Sequence, residues 1–180
     1  MACDPRLHRF RGVAAVLAAS LLLQAVSAAA LFMLKVGPGA RQVSEFYLGS
    51  EARFTTPKSA AGLFEVTLPH LVAIPLALFV VAHLVGYAGV LRRRAFAALA
   101  GVSFASALAG VACSFAVRFA SPRLAWAKVA AFGAFEATLL AWTLLVVYVF
   151  FWPARVTVSA RERRGAVSAT MGNEARGCPR

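Results

Sequence analysis

The chain has 180 residues, of which 61% are apolar and only 14% are charged. Soluble domains are about 45–50% apolar, so this balance excludes a water-soluble globular protein and indicates a membrane protein. The net charge of +12 does not indicate a nucleic-acid partner, because the arginines flank apolar runs and form no nucleic-acid-binding motif. Basic residues in such positions are typical of contact with anionic lipid.

Four apolar runs are long enough to cross a bilayer, which takes about 20 helical residues. They cover roughly residues 13–34, 68–91, 95–117 and 127–152. The predicted fold is therefore all-α, an integral membrane four-helix bundle formed by residues 1–152. Residues 153–180 are basic and rich in small polar residues, and they are predicted to form a disordered tail.

The first apolar run has a second interpretation. It follows the basic segment "RLHRFRG" and contains "AVSAAA", which together are typical of a secretory signal cleaved near Ala28. The run continues through "ALFML", however, and this continuation favours an uncleaved membrane helix.

The distribution of basic residues predicts the orientation. The N-terminal tail, the loop between the second and third spans and the C-terminal tail contain three, three and six Lys and Arg, twelve in total. The other two loops contain four and three, seven in total. Since Lys and Arg are enriched in cytoplasmic loops, both termini are predicted to be cytoplasmic, in a multi-pass protein of the bacterial inner membrane.

Residues 35–66 form the longest loop, on the predicted outer side of the membrane. The turn "VGPGAR" is followed by "SEFYLGSEARF", whose mixed aromatic and charged residues predict an amphipathic collar on the membrane surface. Ser59 is predicted to cap a short interfacial helix. Thr67 is predicted to cap the second span, with Pro69 in the first turn of that span.

The third span is rich in small residues. Gly101, Ala105 and Ala109 recur every four residues, and Gly110 lies in a neighbouring row. Small residues let membrane helices approach each other closely. We therefore predict that these residues pack against another helix, either within the bundle or in a second copy of the chain.

Glu136 lies well inside the fourth span, where a lone carboxylate costs at least a few kcal/mol. It is therefore predicted to be neutral or paired. A rise of about 1.5 Å per residue puts Glu136 about 5 Å and His70 about 14 Å to the outer side of the midplane, and His83 about 5 Å to the inner side. Gln24, near the centre of the first span, is a third candidate partner, and the sequence does not choose among the three.

His70 and His83 are thirteen residues apart, which separates them by about 20 Å in height and about 220° around the helix. They cannot share one ligand. His70 with Met33 is a candidate axial pair for b-type haem, and His83 is a further candidate ligand. Tyr87, one turn after His83, is predicted to hydrogen-bond with it. The alternatives are an interfacial His70 and a His83 that faces the bundle.

The remaining motifs do not indicate an enzyme. Cys3, Cys113 and Cys178 form no CxxC or CxxCH motif, so neither covalent haem nor a zinc site is predicted. The sequence contains no Gly-rich phosphate loop and no nucleophile motif. Neither a hydrolase nor an NTPase is therefore predicted.

The segments "GPGAR", "EFYLG", "PKSAAGLFEVT" and "PHLVAIPLALFVVAHL" resemble a type of small bacterial inner-membrane protein with four spans. Its members carry a Tyr-Gly segment, a Pro-x-Ser turn, an acid and one or more histidines that open the second span. The resemblance covers residues 37–84 and implies the four-span architecture, with no activity attached. Where the type has a His-x-His pair, this chain has Leu68, Pro69 and His70.

Three functions fit these features. The first is a non-catalytic accessory or assembly subunit that docks other membrane subunits, or a second copy of itself, through its small-residue faces. The second is a subunit of an electron-transfer complex that binds b-type haem or contacts quinone. The third is a small proton-coupled transporter that uses Glu136 as its ionisable site. We expect the first, because the sequence contains no complete set of cofactor ligands.

Overall fold

A computed structural model describes residues 5–151, and the side chains from residue 11 onward. The helices are α1 (Pro5–Leu31), which continues as a π-helical turn (Phe32–Val36), α2 (Ala40–Leu48), α3 (Ala60–Ala88), α4 (Arg93–Phe119) and α5 (Ala125–Phe151). No strand occurs among these residues, which confirms the all-α class. The predicted tail, 153–180, lies outside the described residues.

Four of the helices are long and apolar enough to cross a bilayer, namely α1 with its π turn, α3, α4 and α5. Most of their apolar side chains point outward rather than into the protein, as expected for helices in contact with lipid. The chain is therefore a multi-pass membrane protein whose bundle contacts the bilayer.

Helix α5 is the centre of the bundle and packs against α1, α3 and α4. Its Trp142 is only 1% exposed, and the indole Nε1–H donates to the hydroxyl of Ser103 on α4 at 3.0 Å. Alanines at positions 14, 18 and 25 of α1 are buried in the same core, where their small size lets α1 approach α5 closely. This core fills the half of the bundle nearer the termini.

Helix α2 closes the opposite end of the bundle, which we call the α2 end. Its Val43 and Tyr47 are buried against the ends of α4 and α5. Gly37 (φ +92°) precedes α2 and Gly49 (φ +86°) follows it, and both need the left-handed backbone freedom of glycine. The predicted amphipathic segment is thus a helix that packs onto the bundle itself.

Helix α3 is longer than the second span predicted from the sequence. The hydroxyl of Ser59 accepts a hydrogen bond from the Gly62 N–H at 3.1 Å, so Ser59 is the N-cap of this helix. The helix that it caps is the span itself and not a separate interfacial segment. Thr67 is buried within α3, and Pro69 is its tenth residue. Helix α3 therefore begins at Ala60, eight residues before the predicted start, and extends further toward the α2 end.

The small residues of α4 lie on two sides of the helix. Gly101, Ala105 and Ala109 are exposed, whereas Gly110 is half-buried. The buried side is formed mainly by serines, at positions 103, 106 and 114. Their hydroxyls are satisfied by donating to carbonyls one turn earlier in the same helix, which makes a polar side chain acceptable inside the bundle. Packing of the exposed row against a second copy of the chain remains a prediction.

Candidate functional site

A cavity of about 350 Å³ lies between the core around Trp142 and the cluster beneath α2. All five helices and the π turn contribute to its wall. Aromatic rings make up much of the lining, from Phe32, Phe46, Phe132 and Phe135. The polar and charged side chains in the wall are those of Lys35, Tyr47, Thr67, His70, Ser106, Ser114, Lys128 and Glu136.

His70 and Glu136 line the same cavity. His70 lies ten residues after the start of α3, and Glu136 lies eleven residues after the start of α5, with both helices starting at the α2 end. These intervals correspond to depths of about 15 and 17 Å along the two helices. Counted from these helix starts, the expected height difference of about 9 Å falls to about 2 Å, because α3 begins eight residues before the predicted start of the second span.

Glu136 has no partner for one of its oxygens. Oε1 is buried, and among the described residues it accepts no hydrogen bond. Gln24, one of the candidate partners, is exposed and does not line the cavity. A buried acceptor without a donor is costly, and Glu136 is also one of the residues that line the cavity.

Lys128 is the residue that the sequence reasoning missed. Its Nζ donates to the carbonyl of Gly110 at 2.7 Å, and the ion pairs among the described residues involve only Glu45 with two arginines. An ammonium group has three N–H donors, which leaves two for another acceptor. Lys128 precedes Glu136 by eight residues of α5, about 12 Å of helix. From the sequence it counts as an ordinary basic residue flanking a span.

A hydrogen-bonded chain connects α2 to this lysine. The Tyr47 hydroxyl donates to Ser114 at 3.0 Å, and the Ser114 hydroxyl donates to the same Gly110 carbonyl at 3.1 Å. Burial raises the pKa of Tyr47 above its usual value, so its phenol stays neutral and acts as a donor. The chain fixes the position of α2 over the cavity and the geometry around Lys128.

The π turn shapes the wall on the α1 side. Its closing bond runs from the Gly37 N–H to the Phe32 carbonyl at 2.8 Å. The Phe32 ring stacks on Phe132 of α5, with the centroids 4.1 Å apart and the planes 8° from parallel. Lys35, three residues later in the turn, also lines the cavity. Such widened turns are frequent at functional sites.

The cavity reaches the lipid-facing surface between α1 and α3. Leu31 on α1 is 54% exposed and Val66 on α3 is 64% exposed, yet both line the cavity. His70, one turn after Val66, is likewise an exposed lining residue. The two helices make few direct contacts. These residues therefore form a mouth that opens sideways into the bilayer.

The hydrogen bonding of His70 defines its free nitrogen. Nδ1 is bonded to the carbonyl of Val66, and a carbonyl can only accept, so Nδ1 carries the proton. In a neutral imidazole the other nitrogen is then an acceptor. His70 therefore offers Nε2 as a hydrogen-bond acceptor at the edge of the cavity.

The other candidate residues are not brought into this site. His83 is exposed on α3 and stacks on Phe79, with ring centroids 5.8 Å apart, so the alternative that it faces the bundle was wrong. Tyr87 is 91% exposed. Met33 is 55% exposed and does not line the cavity. The arrangement thus provides no paired haem site from His70 and Met33, and the described residues contain no cluster of three or more metal-ligating side chains.

Comparison with known proteins places the chain in a family. No curated protein and no solved structure matches it. A family model described as a transmembrane helical domain, Aq_1264_TM, matches residues 37–157. The match begins where the resemblance to small four-span membrane proteins begins, covers α2 to α5, and includes most of the cavity wall. Because it extends over more than half of the chain, the protein belongs to the Aq_1264_TM family of transmembrane helical domains.

Proposed function

We propose that this protein binds a lipid-soluble quinone or its reduced hydroquinone in the cavity between α1, α3, α4 and α5. One observation carries the proposal: the cavity opens toward the lipid, and its wall contains polar groups with unused hydrogen-bonding capacity. The mouth opens into the bilayer beside Val66. The wall contains Lys128, which has two spare N–H donors, and Glu136, whose Oε1 has no partner among the described residues. A molecule dissolved in the membrane can enter such a site without crossing water.

The shape of the site supports a ring with oxygens on opposite sides. The Nζ of Lys128 lies against the Gly110 carbonyl of α4, whereas Glu136 belongs to α5 and His70 to α3, so the polar groups reach the wall from different helices. Phe132 and Phe135 of α5 make the wall next to Glu136 aromatic. Aromatic walls accept a flat ring by stacking, and polar groups on different sides of the ring fix its orientation. An apolar tail attached to the ring would leave through the mouth.

This proposal corresponds to a quinone-contacting subunit of a membrane complex in the bacterial inner membrane. It gives the chain a ligand of its own, and therefore goes beyond a purely accessory role. The exposed row of Gly101, Ala105 and Ala109 supports docking to other membrane subunits or to a second copy. Such a subunit would present the bound quinone to its partners.

Ligand binding is testable with the full-length protein purified in detergent. A short-chain quinone at about a hundred times its Kd should stabilise the protein by about 2.7 kcal/mol, which corresponds to a rise in Tm of several degrees. The control ligand is an alkane alcohol with the same tail and no ring. No shift with either redox form, or equal shifts with the control alcohol, would exclude the proposal.

A matched pair of variants locates the site. His70→Phe removes the imidazole at the mouth and should lower the affinity about tenfold or more, since it removes a hydrogen-bonding partner of the ligand. His83→Phe changes the same residue type on the same helix, but on the lipid-facing side away from the cavity. It should leave the affinity unchanged, and equal losses in the two variants would place binding elsewhere.

A further inference from the structure

Phe54, in the loop between α2 and α3, has an unusual backbone conformation. Its φ is +51° and its ψ is +37°, and among the described residues it is the only one other than glycine with a positive φ. This left-handed region is unfavourable for a bulky side chain and is normally occupied by Gly or Asn. The local backbone therefore does not favour a phenylalanine at this position.

The turn that carries Phe54 is closed by backbone hydrogen bonds, and we call residues 50–55 the Phe54 turn. Ser50 and Thr55 exchange two N–H···O=C bonds of 3.0 Å, and the Phe54 N–H donates to the carbonyl of Glu51 at 3.1 Å. Phe54 itself is 96% exposed, so its ring gains almost nothing from packing within the chain. An apolar ring in this position is available only for a contact outside the chain.

Two hydrogen bonds fix the height of the Phe54 turn along the bundle. The Lys58 N–H donates to the carbonyl of Tyr47 at 3.0 Å, and the Lys58 carbonyl accepts from Nε of Arg118, in the last turn of α4, at 2.8 Å. Helix α4 has 27 residues, about 40 Å, which matches a bilayer with its headgroup layers. Its last turn therefore lies in a headgroup layer. Phe54 precedes Lys58 by four residues, at most about 14 Å of chain, and stays within reach of that layer.

The surroundings of the Phe54 turn match a bilayer surface. Phe119 is 57% exposed and Trp126 is 69% exposed, so exposed aromatic rings also lie at the ends of α4 and α5 nearest the turn. The guanidinium of Arg118 lies over the Phe119 ring, 5.1 Å from its centroid. Exposed apolar rings beside cations are typical of segments at the boundary between headgroups and acyl chains.

The charges near the Phe54 turn are complementary to lipid phosphates. From α2 through the turn to the end of α4 that it contacts, four cations outnumber two acids, namely Arg41, Arg53, Lys58 and Arg118 against Glu45 and Glu51. Cations close to a membrane surface are attracted to anionic headgroups. This charge balance favours a lipid surface over an acid-binding or basic protein surface as the partner of the ring.

We infer that the Phe54 turn inserts the ring of Phe54 into the bilayer surface at the α2 end, with Arg53 beside the lipid phosphates. This contact lies outside the cavity and does not depend on quinone binding. Helix α2 packs on the bundle, and the turn that follows it attaches the α2 end to the headgroup layer. The membrane contact predicted for this loop thus comes from one turn and not from α2.

The test measures the depth of a nitroxide side chain in the full-length protein, reconstituted into vesicles of phosphatidylethanolamine and phosphatidylglycerol, with its three cysteines replaced by serine. At Phe54→Cys, the nitroxide should collide with a water-soluble nickel complex several-fold less often than a nitroxide on free cysteine. Val72→Cys, at a position 70% exposed on α3, is the reference for the hydrocarbon region and should favour oxygen over nickel more strongly. Accessibility to nickel at position 54 equal to that of free cysteine would overturn the inference and indicate a surface for a water-soluble partner.

A second comparison keeps the label away from the ring, because a nitroxide is itself apolar. The label is placed at Arg53→Cys, once with Phe54 retained and once with Phe54→Asn, which tolerates the left-handed backbone. Loss of the ring should raise the collision rate of this label with the nickel complex several-fold. Equal rates in the two proteins would overturn the inference, because the ring would then not hold the turn in the headgroup layer. Neither result bears on quinone binding, which is measured separately.

Discussion

At the scale of single residues, Glu136 provides a prediction. Glu136→Gln should fold normally, because the carboxyl makes no hydrogen bond through Oε1 to the described residues and the amide has nearly the same shape. We expect the Tm without ligand to lie within a few degrees of the wild-type value. Loss of folded protein in this variant would instead indicate an ionised carboxylate with a partner whose removal is costly.

Single residues also differ in how well the sequence predicts their role. An acid deep in a membrane helix is costly enough to indicate a special position, and this reasoning identifies Glu136, as it does His70 in an apolar run. Lys128 is not identified, because a lysine three residues after the start of a helix resembles any interfacial cation. The sequence therefore predicts candidate positions but not which of them share a cavity.

At the scale of helices, the apolar runs predicted α4 and α5 closely. The predicted spans 95–117 and 127–152 differ by two residues or fewer at each end from Arg93–Phe119 and Ala125–Phe151. Helix α3 was misjudged because Pro69 suggested a first turn, although proline within a membrane helix is tolerated where neighbouring groups compensate. The shift of eight residues moved His70 out of register with Glu136, and this is why the site could not be assembled from the sequence.

If the ligand enters between α1 and α3, a bulky residue at this mouth should slow its association. Val66→Trp places a large ring at the entrance and should slow association of a short-chain quinone several-fold, as measured by stopped-flow quenching of tryptophan fluorescence. Val72→Trp is the matched control, since Val72 is 70% exposed on the same helix and does not line the cavity. Equal association rates in the two variants would indicate that the ligand enters at the α2 end.

At the scale of the whole molecule, four spanning helices require both termini to lie on the same side of the bilayer. Which side depends on the basic residues, twelve against seven. The structure makes this difference more informative, because Lys128 is turned into the cavity and so is not a free loop cation. Removing it from the smaller count leaves six cations on the α2 end, which favours cytoplasmic termini.

Cysteine labelling in intact cells tests this orientation. In a chain whose three natural cysteines are replaced by serine, Arg53→Cys introduces a thiol in the exposed loop of the α2 end, and Arg93→Cys introduces one at the opposite end. A membrane-impermeant thiol reagent should label position 53 in intact cells and position 93 only after permeabilisation. The reverse labelling pattern would show that the α2 end is cytoplasmic and that both termini lie outside. The cavity mouth would then lie in the cytoplasmic half of the membrane, and the quinone ring would be presented to partners on that side.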